Sequence, residues 1–276
     1  MSLAFHHDRE KTFGQQYRNC ERSVLPFIES IIPPDEKRVL EIGCGEGGVL
    51  KPFLEKGCWC WGIDLNESKI QYAMGAMRRE VTKERAFFAP MDIYDHTIFE
   101  RVQDRFDIVI LMNTIEHIPD HERLLKRINR LLAKQGVVFI AFPPWFMPYG
   151  GHQQLTHSIL GKLPYYHLLP RFIYKNLLKL FGENEALIQA LMEVRDTRLT
   201  IGTFEKLMKE CGFRCLKKQY YLINPIYEVK FGLPTMKQLP GLRSIPWIRD
   251  FVTTTCYYLV QPDANHGDVK KGLGAF

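Results

Sequence analysis

Val39-Leu40-Glu41-Ile42-Gly43-Cys44-Gly45-Glu46-Gly47-Gly48 is the stretch that decides how this chain is read. An apolar run ends in a glycine cluster, and a helical pattern follows that stops at Gly57. Glycines at such a turn let the backbone bend tightly and let a ligand approach without a Cβ in the way. The pattern therefore puts a ligand at the carboxyl end of a strand. Gly43, Gly45 and Gly48 also satisfy G-x-G-x-x-G, so the glycines alone leave a nicotinamide or flavin dinucleotide open.

Working outward, the runs RVLEIG, WGIDL, AFFAPMDI, FDIVILMN and GVVFIAF are short, near-continuously apolar and bounded by polar or turn residues. Such runs predict strands buried on both faces. Helical patterns alternate with them, one from about Asn66 to Glu80 and one opening at Asp120 as N-cap and closing at Gly136 as a left-handed C-cap. Strand and helix in alternation across residues 38–142 predict a doubly wound, Rossmann-like α/β fold. An amphipathic segment at 12–32, ending at Pro33-Pro34, predicts one leading helix. After Phe142 the alternation stops. Residues 143–200 read as an aromatic-rich, mainly helical insertion, and 201–262 as a final helix and strand pair with a second insertion at 225–250. At 276 residues, the whole chain, 1–276, is read as one domain with insertions.

Three acids narrow the ligand. Glu41 stands on a buried strand where a dinucleotide fold keeps an apolar residue, and a buried carboxylate calls for a donor or cation such as the ammonium of a methionine moiety. Asp64 ends the second strand, where a carboxylate accepts from both hydroxyls of a ribose. Asp92 in Pro90-Met91-Asp92-Ile93 is suited to an adenine amino group, with Met91 and Ile93 packed on the ring. The bland alternative is that Glu41 and Asp92 cap neighbouring helices and the glycines only make a turn.

Taken in order, VLEIGCGEG, Asp64, MDI and Asn113-Thr114-Ile115-Glu116-His117-Ile118-Pro119-Asp120 resemble the class I S-adenosylmethionine-dependent methyltransferases, in particular the small-molecule enzymes of ubiquinone and menaquinone biosynthesis. The resemblance implies a seven-stranded sheet with an antiparallel last strand and S-adenosylmethionine as cofactor, leaving S-adenosylhomocysteine. It implies that Glu41, Gly43, Cys44, Gly45 and Gly47 hold the methionine end, Asp64 and Leu65 the ribose, and Met91, Asp92 and Ile93 the adenine. Asn113 would lie beneath the sulfonium, and Tyr17 of the leading helix could close over the carboxylate. Two readings compete with methyl transfer: an NAD(P)-dependent oxidoreductase, and a methyltransferase-like binding protein without turnover.

The acceptor side is read from the insertions, which leave the sheet at its ligand-binding edge and are expected to form a lid. Trp145, Tyr149, His152 and Gln153 are the candidate acceptor-binding residues, apolar surface with a few polar anchors. His117 and His152 are the candidate general bases for a small-molecule, glycan-like or lipid-linked acceptor methylated on oxygen or nitrogen. No metal is expected, since His152 and His157 do not share a helical face and no carboxylate pair accompanies them. Arg171, Lys175 and Lys179 form a basic stripe opposite Phe172, Ile173, Leu177 and Leu180 that could rest on an anionic membrane, or simply face solvent.

A formal charge of +6 is spread along the chain without a dense basic run, which argues against a nucleic-acid partner, as does the lack of an Asn/Asp-Pro-Pro-aromatic motif after the fourth strand. Seven cysteines in a chain without a signal-peptide pattern read as reduced thiols, and with no apolar run of spanning length the expected location is cytoplasmic. Oligomeric state is not legible.

Overall fold

The computed structural model describes residues 2–101 and 105–263. Eight strands, β1 (Arg38–Ile42), β2 (Trp59–Asp64), β3 (Ala86–Pro90), β4 (Phe106–Met112), β5 (Leu132–Phe142), β6 (Phe213–Ile223), β7 (Met236–Lys237) and β8 (Thr255–Pro262), form one sheet. Their order is β3-β2-β1-β4-β5-β8-β6-β7. The first five run parallel, and β8 lies antiparallel between β5 and β6. That is the expected seven-stranded sheet with its antiparallel last strand. The eighth is the two-residue β7, which the second insertion adds at the edge beside β6.

Apolar side chains alternate across the central strands because successive residues point to opposite faces. Leu40, Ile42, Val109, Leu111, Val138 and Ile140 pack against the helices at His121–Leu131 and Ile201–Glu210. Val39, Ile108, Ile110, Val137 and Phe139 pack against Cys20, Val24, Phe27 and Ile28 of the leading segment and Leu50 and Phe53 of the helix Leu50–Glu55. A third apolar cluster, around Tyr174, Leu178, Ile188 and Leu191, lies within the insertion after β5, in the helices Arg171–Leu180 and Glu185–Thr197. No described helix is long and apolar enough to cross a membrane.

Three expected boundaries move. The leading segment is α-helical from Ser2 to Asn19, takes a π turn at Cys20–Val24 and resumes at Leu25–Glu29. The wider turn keeps Cys20, Val24, Leu25 and Ile28 against the sheet, whereas Ile31, placed on that face by periodicity, is 46% exposed. The helix after β2 starts as read, with Asn66 accepting from the Lys69 amide, but breaks at Met77 into Glu67–Ala76 and Arg78–Thr82. Asp120 caps the helix after β4 through the Arg123 amide at 3.1 Å. Gly136 does not end that helix, because the chain turns extended at Leu132. A Cβ at Gly136 would sit 2.8 Å from the Phe106 carbonyl, so this glycine permits the close approach of β5 to β4 where their register shifts.

Candidate cofactor and acceptor site

The strand order reverses between β1 and β4, and there, at the carboxyl ends of β1 to β4, lies a cavity of about 680 Å³. Gly43, Gly45 and Gly47 have φ of 73°, 53° and 82°, a region that side chains disfavour. Space is as tight as conformation: a Cβ on Gly43 would meet Thr114 at 2.6 Å, and one on Gly47 the Met77 methyl at 2.7 Å. Gly43 and Gly45 line the cavity.

Asp64 stands at the end of β2 and braces the glycine turn, accepting from the Gly45 amide at 2.9 Å and the Asn66 amide at 2.8 Å. Asp92 accepts from the Tyr94 amide at 2.8 Å. Both acids line the cavity, together with Leu65, Met91, Ile93, Asn113 and His117. Asn113 is held in left-handed backbone, φ 52°, while its amide donates to the Ala141 carbonyl. The structure thus brings one wall together as the sequence reading expects.

Four expected cofactor residues are placed otherwise, the first being Gly47, which does not line the cavity and packs against Met77, Ala73 and Phe88. Cys44 is fully buried beneath the turn. Glu41 is 1% exposed and shares the strand face of Val39, turned toward the leading segment rather than lining the cavity. Burial, and then the charge of Asp64, hold its carboxyl well above the usual carboxylate range, and one of its oxygens has no hydrogen-bond partner. Tyr17 points away, its hydroxyl donating to Glu55 at 3.1 Å and Glu21 at 3.3 Å. The leading helix nonetheless reaches the cavity on an adjacent face, through Thr12 and Gln16. Gln16 Oε1 accepts from the Gly48 amide at 2.9 Å, and Gly48 has no room for a Cβ, with the Phe13 carbonyl at 2.3 Å. Spacing carried a signal for this pair: Thr12 and Gln16 are polar residues four apart on one helix face.

Lys69, Tyr94 and Arg123, which no sequence motif marks, also line the cavity, as does Thr114 of the signature after β4. The largest departure is at Glu116. It follows β4, is 3% exposed, and neither of its carboxylate oxygens has a hydrogen-bond partner. Burial pushes its pKa up to about 8. His152, arriving from the insertion, sets its Nε2 3.7 Å from Glu116 Oε1 and its ring edge-on to His117 at 4.8 Å. Burial, then the neighbouring His117 and His167, push the His152 pKa down to about 3. The two candidate bases are therefore one cluster with a third member, and of the three only His117 lines the cavity.

The other acceptor candidates shape the insertion. Gln153 is fully buried and donates to the Pro148 carbonyl at 2.8 Å and to His167 Nδ1 at 2.9 Å. That amide proton fixes Nδ1 as the acceptor and leaves Nε2–H to donate to the Trp145 carbonyl at 2.8 Å. Tyr149 donates to the Lys162 carbonyl. Trp145 lines a different cleft, of about 660 Å³, with Phe146, Arg198, Lys206 and Trp247. In the basic stripe, Arg171 pairs with Asp196 and Lys179 with Glu185, and the face turned inward is Tyr174 and Leu178. Phe172 and Leu180 are exposed.

Comparison with known proteins agrees with this geometry. A family model described as a methyltransferase domain matches residues 9–218. A ubiquinone biosynthesis O-methyltransferase of Coxiella burnetii is 32% identical over 118 residues, 42% of this chain and 48% of that protein. One from Bartonella quintana is 30% identical over 116 residues, 41% and 43% of the two chains. The chain thus spans about half the length of these curated relatives. Among solved structures, magnesium protoporphyrin IX methyltransferase from Synechocystis, with bound S-adenosylhomocysteine, superposes with a TM-score of 0.53 at 12% identity, covering 94% of each chain. An S-adenosylmethionine-dependent methyltransferase from Clostridium acetobutylicum gives 0.53 at 14% identity, covering 90% and 92%. These structural likenesses establish the fold.

Proposed function

The chain belongs to the class I S-adenosylmethionine-dependent methyltransferase family, and we propose that it transfers the methyl group of S-adenosylmethionine to an oxygen or nitrogen of a small-molecule acceptor, a hydroxyl oxygen being favoured. The observation that carries this reading is the sheet-edge cavity itself, which joins a glycine turn too tight for a Cβ, two acid-tipped strand ends and His117 in one space.

These residues fit the cofactor. A carboxylate offers about four acceptor positions, so Asp64 keeps two for ribose hydroxyls beyond those spent on Gly45 and Asn66. Asp92 has one oxygen on the Tyr94 amide and the other for the adenine amino group, with Met91 and Ile93 beside it as an apolar wall. Gly43, Gly45, Thr12 and Gln16 would border the methionine end, and Asn113 and Thr114 the sulfonium. Bound there, S-adenosylmethionine supplies a methyl carbon activated by positive sulfur.

The acceptor's lone pair forms the new bond to that carbon as the carbon–sulfur bond breaks, the electron pair stays on sulfur, and the acceptor proton passes to a base. His117 suits that side of the cavity. Although the residue is exposed at the cavity wall, desolvation by its neighbours, opposed by Glu193 and reinforced by Lys69, lowers its pKa from the ordinary histidine value, which favours the neutral ring with a lone pair to offer. The O-methyltransferase relatives support oxygen over nitrogen. The residues around Tyr149 and His152, joined to β5 and touching the signature after β4, suit a lid over the acceptor. Calorimetry with S-adenosylhomocysteine tests the first step: saturable binding is expected, and none at millimolar ligand would end the reading. Transfer of tritiated methyl from S-adenosylmethionine to a panel of hydroxylated and amino acceptors would then separate enzyme from binding protein.

A further inference from the structure

We propose that Glu116, His117 and His152 form a binding site for one divalent transition-metal ion, through which the acceptor's hydroxyl is held and polarised; the acceptor role rests on the methyltransferase reading above. The three side chains offer ligand atoms that all lie within 4.8 Å of one another. Donors around one ion with bonds of about 2.1 Å sit roughly 3 to 3.5 Å apart, so closure needs the side chains to draw together by about an ångström or so. Glu116 Oε1 and His152 Nε2, at 3.7 Å, are nearly there already.

A second observation points to a ligand independently of that clustering. Glu116 is buried in the protein with both oxygens unpartnered. A carboxylate so placed is costly unless a cation or strong donors meet it. His152 at 3.7 Å is beyond hydrogen-bond distance, whereas an ion between the two would satisfy both. Asp250 and Glu183, other buried acids, show the contrast: each accepts backbone N–H bonds, Asp250 from Ile201 and Glu183 from His157 and Ser158.

The donor set selects the metal. Two imidazole nitrogens and one carboxylate suit Zn²⁺, Mn²⁺, Fe²⁺ or Co²⁺, and are short of the oxygen ligands that Mg²⁺ or Ca²⁺ take. Three protein ligands leave coordination positions open, the arrangement of a catalytic rather than a structural site. Because His117 lines the cavity, the open positions are nearest the acceptor. An acceptor hydroxyl bound there would lose its proton to solvent at a lower pH than when free, and His117 would act as a ligand instead of a free base.

The test is tag-free protein, stripped with chelator and titrated separately with Zn²⁺ and Mn²⁺ against a chromogenic competitor, with S-adenosylhomocysteine affinity measured in parallel. One ion per chain is expected, with binding weakened at least 100-fold in Glu116→Gln and in His152→Ala. Cofactor-product affinity should stay within threefold in both, since neither residue lines the cavity. Co²⁺ absorption in the visible provides a second readout, expected to change in His152→Ala should Glu116→Gln fail to fold. Absence of saturable binding overturns the proposal, as does binding unaffected by these two changes but lost on replacing His157 or the His6-His7 pair. Wild type that binds S-adenosylhomocysteine but no metal rejects this site alone; wild type that binds no S-adenosylhomocysteine rejects the methyltransferase reading.

Discussion

The edge built by β1 to β4 holds its site with backbone, whereas the insertion at 143–200 holds its shape with side chains. At the edge, positive φ at three glycines and backbone amides donating to Asp64 set the geometry. In the insertion, Gln153, His167, Trp145 and Arg195 are tied by bonds between residues far apart in sequence, with Arg195 donating to the His167 carbonyl. A backbone site fails when a Cβ is added. A side-chain site fails when one donor is removed or one ring gains a proton.

The sharpest way to break the edge is Gly43→Ala. Its Cβ meets Thr114 at 2.6 Å in backbone of φ 73°, so the turn must move. S-adenosylhomocysteine binding should weaken at least 100-fold, about 2.7 kcal/mol, with the fold followed by circular dichroism. Wild-type affinity in a folded variant would show that the turn is not the cofactor floor. Asp64→Ala comes next. Loss of charged hydrogen bonds to ribose, and of the brace on Gly45, should cost roughly 10- to 100-fold in the same titration. Unchanged affinity would remove the ribose assignment.

These two positions were legible from sequence because the physics acting on them is local. Only glycine tolerates the turn, and an acid ending a buried strand has few reasons to be there. Strand order follows for the same reason, since alternation of short apolar runs and helices leaves little choice of topology. Glu116 was not legible: its partner His152 enters from another element, and the spacing argument against a metal weighed His152 only with His157. Gln153 misled for a related reason. A polar residue in a glycine-rich loop reads as a ligand contact until its amide is seen to be spent on Pro148 and His167. The dinucleotide alternative ends with the family match, which the glycines alone could not decide.

The insertion can be probed by pH. Burial, opposed by the Trp145 carbonyl and reinforced by Arg195, pushes the His167 pKa down to about 4. Its unfolded value is about 6.5, so the unfolded chain takes up the proton first. The stability contributed by neutral His167 is therefore complete above pH 6.5 and is lost progressively as pH falls toward 4. At about 1.4 kcal/mol per unit over roughly 2.5 units, the loss is of the order of 3 to 4 kcal/mol. Hydrogen exchange of amides in Arg171–Leu180 should accelerate across that window, and NMR titration of the His167 ring should give a midpoint well below 6.5. A ring that titrates normally would show that the Gln153–His167–Trp145 chain does not hold the insertion.

The smallest effects separate neighbours on the leading helix. Gln16 accepts from the Gly48 amide and lines the cavity, so Gln16→Ala removes one hydrogen bond of about 1 kcal/mol from the turn. S-adenosylhomocysteine affinity should fall about fivefold. Tyr17 was the residue expected to close over the cofactor, yet its hydroxyl is committed to Glu55 and Glu21; burial and then those acids push its pKa up to about 12. Tyr17→Phe should leave the affinity within twofold, since only exposed bonds outside the cavity are lost. If the order is reversed, with Tyr17→Phe the weaker binder, the helix must turn by about 100° when the cofactor enters, and the edge would owe its shape to side chains after all.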